Sequence, residues 1–183
     1  MTEDELAEMA RVREQVLQCF PPQPMPASVR AAIERMLVDP WYGGREIDFL
    51  NSLLVDSCYE LRFDGPEHLL QGMAGFDAGI VTYFLPAYML ALLAEDDSGI
   101  SEFMCNLIEE IVPPSPRLQR PRIGLDLTKL SKRQSQCVGD FLQCWASLVS
   151  ESFPRQSRRI ARVLNELSYR GLWVPSDTAP GSF

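Results

Sequence analysis

Seventeen consecutive residues, Ala78 to Ala94 (AGIVTYFLPAYMLALLA), carry no charge, and Pro86 sits near their middle. A run this apolar must be covered, by lipid or by protein. Its length is at the lower edge of what spans a bilayer. Three features oppose a span. Pro86 removes a backbone donor and crowds the preceding turn, which solvent cannot repair inside lipid. Asp77 and Glu95-Asp96-Asp97 flank the run, with no lysine or arginine to anchor it at an interface. The neighbouring segments carry one-sided apolar stripes that need a partner. The run therefore reads as the buried central helix of an all-α protein. Pro86 is expected to open a helix at its first turn or to kink a continuous one, with Asp77 as a candidate cap.

The stripes are read from spacing. From Glu3 to Cys19, Leu6, Met9, Ala10, Val12, Val16 and Leu17 recur near the helical period, with Phe20 beyond, and Thr2 is placed to cap the start. The prolines of FPPQPMP end that helix. A second is expected from a Ser28 cap to Val38, with Val29, Ile33, Met36 and Leu37 buried. DPWYGG reads as a turn, and a third helix as Arg45 to Asp56. Tyr59, Leu61 and Phe63 alternate like one short strand without a partner. Pro66 to Gln71 reads as a short helix, and Gly99 to Val112 as a longer one stopped by Pro113. Ser131 and Gln134 have capping-box spacing. They open a helix to about Glu151, with Val138, Phe141, Leu142, Trp145, Leu148 and Val149 on one side. A last helix, Arg155 to Arg170, buries Ile160, Val163, Leu164 and Leu167. The expectation is a single all-α bundle of six to eight helices over residues 1–174, with 175–183 as a loose tail.

Charge is unevenly spread. Residues 1–116 hold 20 acidic and 6 basic side chains, whereas 117–183 hold 5 and 11. Acidic chains repel nucleic acid, so a basic protein is the first partner to consider. Head-to-tail self-association would suit the same polarity. The acidic candidates for a partner surface are Glu95, Asp96, Asp97, Glu102, Glu109 and Glu110, with Glu3, Asp4, Glu5 and Glu8 on the first helix. A solvated, solubilising surface is the plain alternative. Arg155, Arg158, Arg159 and Arg162 form a basic candidate patch opposite the last helix's apolar face, extendable by Lys132, Arg133 and Arg170. It would suit an acidic partner or nucleic acid, although no aromatic side chain is read as interleaved with it.

Catalytic and metal chemistry has little to stand on. His68 is the only histidine, which excludes a two-histidine zinc site. The EDD cluster lacks calcium-loop spacing, and the glycines of GMAGFDAG lack the phosphate-loop lysine. A hydrolase would have to recruit His68 or a carboxylate pair. No cofactor is implied. Five cysteines, at 19, 58, 105, 137 and 144, contain no CxxC pair. They read as free, mostly buried thiols of a reducing compartment, and the charged N-terminus is unlike a secretory signal.

The run Tyr83-Phe84-Leu85-Pro86-Ala87-Tyr88, with Gln134, Val138, Phe141 and Leu142 downstream, resembles a family of small bacterial helical proteins without assigned function. The resemblance covers about residues 5–150. It departs from the family pattern where extra residues separate Leu127-Thr128 from Gln134. It implies a bacterial, cytoplasmic, helical protein and brings no catalytic residue with it. Size and charge are also similar to those of immunity proteins, which neutralise a cognate toxin. The functional expectation is a non-enzymatic protein-binding protein of that kind, with a nucleic-acid-associated module or a hydrolase as alternatives.

Overall fold

The computed structural model of the chain describes residues 2–61, 76, 78–94, 129–149 and 154–175, less the side chains of Arg45, Val149, Pro154, Gln156 and Arg159. The expected helices at Pro66–Gln71 and Gly99–Val112, the Asp77 cap and most of the proline-rich connector lie outside these residues. Among the described residues there are six α-helices and no strand, so the fold is all-α. Tyr59 lies in a 3-10 turn, Cys58–Glu60, Phe63 lies outside the described residues, and an isolated bridge pairs Pro24 with Ser57. No helix among the described residues is long and apolar enough to cross a membrane. The chain divides into two compact units, Pro21–Asp126 and Met1–Phe20 with Leu127–Phe183.

In the Pro21–Asp126 unit, α2 (Ala27–Leu37) and the 3-10 turn pack against the apolar run, which forms α4 (Ala78–Leu92), and α3 (Arg45–Ser52) packs against α2. Ile80, Val81, Leu92 and every residue from Tyr83 to Met89 are buried. These positions go all the way round the helix, as a central helix requires. Pro86 lies inside one continuous helix and cannot donate to the Thr82 carbonyl. Such a proline costs about 3 kcal/mol in an exposed helix. Here the full burial of Phe84, Leu85, Tyr88 and Met89, each worth about 1.5–3 kcal/mol, outweighs it. Tyr83 meets Phe84 edge to face at 4.9 Å, and Phe49 stacks on Phe76 at 6.0 Å.

Two expected boundaries shift for local reasons. Ser28 is not the cap of α2. Pro26 takes that position with an extended ψ, and its carbonyl already accepts the Arg30 N–H at 3.1 Å. The third helix ends at Ser52 rather than Asp56, and the Ser52 hydroxyl donates to the Phe49 carbonyl at 2.6 Å. The chain then turns so that the Asp56 carbonyl accepts from Met25 N–H at 3.0 Å, tying the α2 entry to the 3-10 turn.

In the other unit, α5 (Lys132–Val149) packs against both α1 (Glu3–Cys19) and α6 (Pro154–Tyr169). The expected capping box at Ser131 forms, and the expected Thr2 cap proves to be a capping box as well. Thr2 and Glu5 exchange bonds of 2.6 and 3.2 Å, and Ser131 and Gln134 bonds of 3.0 and 3.2 Å. Val12, Val16, Cys19 and Phe20 are buried, but Leu6 and Leu17 are 49% and 43% exposed. The stripe expected on α1 was too wide, because α5 covers only one narrow face of it. The apolar face of α6 is buried as its period requires.

The buried surface of α5 extends well beyond its expected apolar side. Ser135, Gly139 and Asp140 are buried too. The reason is a third covering element, residues 171–175, which fold back over the helix. Trp173 is seated on Gly139 and donates its indole N–H to Asp140 Oδ1 at 2.9 Å. The side-chain amide of Gln136 pairs with the Val174 backbone in both directions, at 2.7 and 2.9 Å. Asp140 also accepts from Gln15 of α1 at 2.6 Å and from Gln136 at 3.0 Å. One buried carboxylate thus holds α1, α5 and the C-terminal strap, and its hydrogen bonds offset the cost of burying it.

A Cβ on Gly139 would lie 2.0 Å from Trp173 Cδ1, so an alanine there must expel the indole. The helix would gain about 1 kcal/mol of propensity, but losing the indole's burial costs several times that. Gly139→Ala is expected to destabilise the unit by about 2 kcal/mol and to shift part of the tryptophan emission to the red, both read from urea titrations followed by fluorescence.

Candidate interaction surfaces

Each expected site was a set of charges, and the helices sort these by what they touch. On α1 two of the acids have local partners. Thr2 backbone hydrogen bonding holds the Glu5 carboxyl below its ordinary range, and the Arg11 guanidinium does the same for Glu8, at 2.6 Å. Glu3 and Asp4 are exposed beside the helix's positive end, where acids are stabilised. The α1 acids are thus explained by capping, by the helix dipole and by local pairing. Glu95, Asp96, Asp97, Glu102, Glu109 and Glu110 lie outside the described residues, as does His68.

The basic patch is partly assembled. Arg155, Arg158 and Arg162 are exposed, and their spacing of three and four places them on one stripe of α6. The Arg159 side chain lies outside the described residues. Seven residues past Arg162, on the same stripe, Tyr169 is 88% exposed. The stripe spans about 21 Å at the helical rise. No aromatic had been read as interleaved with these arginines, and Tyr169 corrects that. The signal in the sequence is its i+7 spacing from Arg162. Arg170 is not free to join the patch, since it pairs with Glu166. Lys132 and Arg133 instead line a cleft of about 540 Å³ at the start of α5, together with Gln15, Cys19 and Gln136.

The thiols are packed rather than presented. Cys19, Cys58, Cys137 and Cys144 are free and buried; Cys105 lies outside the described residues. Burial pushes Cys58 up to about 11 and Cys144 to about 12. Cys137 is pushed up further by burial, with the adjacent Cys19 thiol adding to it. Thiols held neutral in this way are poor nucleophiles and poor metal ligands. Among the described residues no three His, Cys, Asp or Glu side chains come together as a metal site. Asp140, the one buried carboxylate described, has its oxygens committed to Gln15, Gln136 and Trp173.

Comparison of the chain with protein-family models, with curated proteins and with solved structures finds no match. The family resemblance therefore rests on the quoted residues alone.

In a Cys105→Ser chain, Cys58, Cys137 and Cys144 are expected to react with a thiol reagent at pH 8 only as fast as the protein unfolds. The pH dependence has a definite sign. An unfolded thiol loses its proton near pH 8.5 whereas buried Cys58 holds its own to about 11. Stability from burying the neutral thiol is complete below about pH 8.5 and declines as pH rises toward 11. Melting temperatures measured across that window should fall.

Proposed function

We propose that this chain is a non-catalytic, cytoplasmic binding protein of bacterial immunity type, which neutralises a basic toxin domain by occluding it through an acidic surface. The observation that carries this reading is how charge divides between the two units. Pro21–Asp126 holds 16 acidic and 7 basic side chains, a net of −9. The unit made of Met1–Phe20 and Leu127–Phe183 holds 9 and 10, a net of +1. Nearly all the excess charge is thus concentrated on one compact unit. A field of this kind steers a basic partner and speeds its capture.

The test is a tagged pull-down from the source cells, washed first at low and then at high salt, with the retained proteins identified by mass. One basic protein held stoichiometrically, and released or weakened at high salt, supports the reading. Replacing Glu95, Asp96 and Asp97 together by lysine should slow capture at least tenfold at low ionic strength. If on-rate and affinity are both unchanged, that segment is not the surface. If no basic protein is retained while the partner is expressed, the reading fails.

A second reading is favoured by the alignment of Arg155, Arg158, Arg162 and Tyr169: α6 engages a polyanion, with phosphates on the guanidinium groups and a base or ring on the tyrosine. It predicts a low-salt mobility shift with single-stranded nucleic acid, abolished by Arg155→Glu with Arg158→Glu and Arg162→Glu. No shift at high protein concentration disposes of it.

A further inference from the structure

The connector between α2 and α3 displays apolar side chains in water. Trp41 is 92% exposed and Val38 81% exposed. The other two tryptophans, Trp145 and Trp173, are 3% and 5% exposed. The display is built rather than loose. The Asp39 carboxylate accepts the Trp41 N–H at 3.0 Å, and the Asp39 carbonyl accepts the Tyr42 N–H at 3.1 Å. This closes a four-residue turn with Pro40 at its second position, where a fixed φ costs nothing. Gly44 then takes φ +53°, a conformation that suits glycine, and leads directly into α3. The backbone under Trp41 is therefore set before any partner arrives, which lowers the entropy cost of binding.

The surroundings say what kind of partner fits. Glu34, Asp39, Glu46 and Asp48 lie on the connector or on the adjoining helical turns; Arg35 and Arg45 are the basic residues of that stretch, and it holds no lysine. Nucleic acid would meet these carboxylates and the unit's net charge of −9. An exposed indole in a carboxylate-rich stretch of chain suits a cationic side chain, which can stack on the ring while its charge is paired by those carboxylates. Arginine is the better match, because its guanidinium stacks and pairs in bidentate fashion. A large aromatic is also the residue type that most often anchors protein interfaces.

We propose that the Trp41 turn is the anchor by which the acidic unit grips its partner, with an arginine-bearing segment of a basic protein stacked on the indole and paired with Glu46 and Asp48. The proposal rests on the binding-protein reading and adds the residue and the chemistry of contact.

The test uses the full-length chain and hexa-arginine amide as the probe, at low salt. The three indole N–H resonances are assigned with Trp41→Phe. On titration the Trp41 signal should shift saturably while those of Trp145 and Trp173 stay in place. Trp41→Ala, at an exposed site that should not disturb folding, should weaken the probe roughly tenfold. Glu46→Lys with Asp48→Lys should weaken it as well and flatten its salt dependence. Equal affinity in Trp41→Ala, or no saturable shift of the Trp41 signal, overturns the proposal. So does a dimer of the wild type that Trp41→Ala converts to monomer, because the occupant is then a second copy. The captured partner separates this failure from that of the broader reading. If a basic protein is retained as tightly by Trp41→Ala as by the wild type, the binding function stands and only the anchor falls.

Discussion

A helix that is apolar on every side cannot rest in water, and α4 is such a helix. The Pro21–Asp126 unit follows from covering it. Val29, Ala32 and Ile33 of α2 and Cys58 of the 3-10 turn are buried in the same unit as the α4 side chains. The turn is tied to the α2 entry by the Met25–Asp56 backbone bond, and the Tyr83 hydroxyl reaches the Gln23 carbonyl at 3.4 Å. Burial pushes the Tyr83 phenol above its ordinary range, so it remains a donor for that bond. Pro86 is tolerated because the helix is held by its surroundings rather than by its own ladder.

The other unit answers a different constraint. Its central helix, α5, has a glycine and an aspartate among its buried residues, and neither contributes apolar surface of any size. Gly139 makes room for an indole, and Asp140 gives that indole's N–H an acceptor. Such an arrangement works only as a set: without the strap Asp140 loses a donor, and without Gly139 the strap has no seat. Stability in this unit therefore depends on residues far from the ordinary apolar count, and Trp173 belongs to the fold although it stands close to the chain's end.

Among the described residues, the buried reactive groups serve the packing. Burial holds the Cys58, Cys137 and Cys144 thiols neutral, and the Asp140 carboxylate accepts from structural donors. Among the described residues two aromatic rings are exposed, Tyr169 in line with arginines and Trp41 in a carboxylate-rich stretch of sequence. The stretches that carry the two rings are opposite in sign.

The amino-acid sequence by itself determined the helices whose signals are local. The limits of α1, both capping boxes, the burial of α4 and the apolar face of α6 all follow from periodicity and cap chemistry, which act between residues a turn apart. Tertiary structure alone decided how wide each buried stripe is, because that depends on how many neighbours a helix has; Leu6 and Leu17 are exposed for that reason. It also decided the Trp173 seat. The sequence did hold a trace of it, a glycine in a helix interior, which costs stability unless something must approach closely. What approaches comes from 34 residues further along the chain, and no periodicity reports a contact of that range. The exposure of Trp41 was equally hidden. DPWYGG announces a turn, but whether its tryptophan folds inward or faces solvent is settled by what the rest of the fold leaves uncovered.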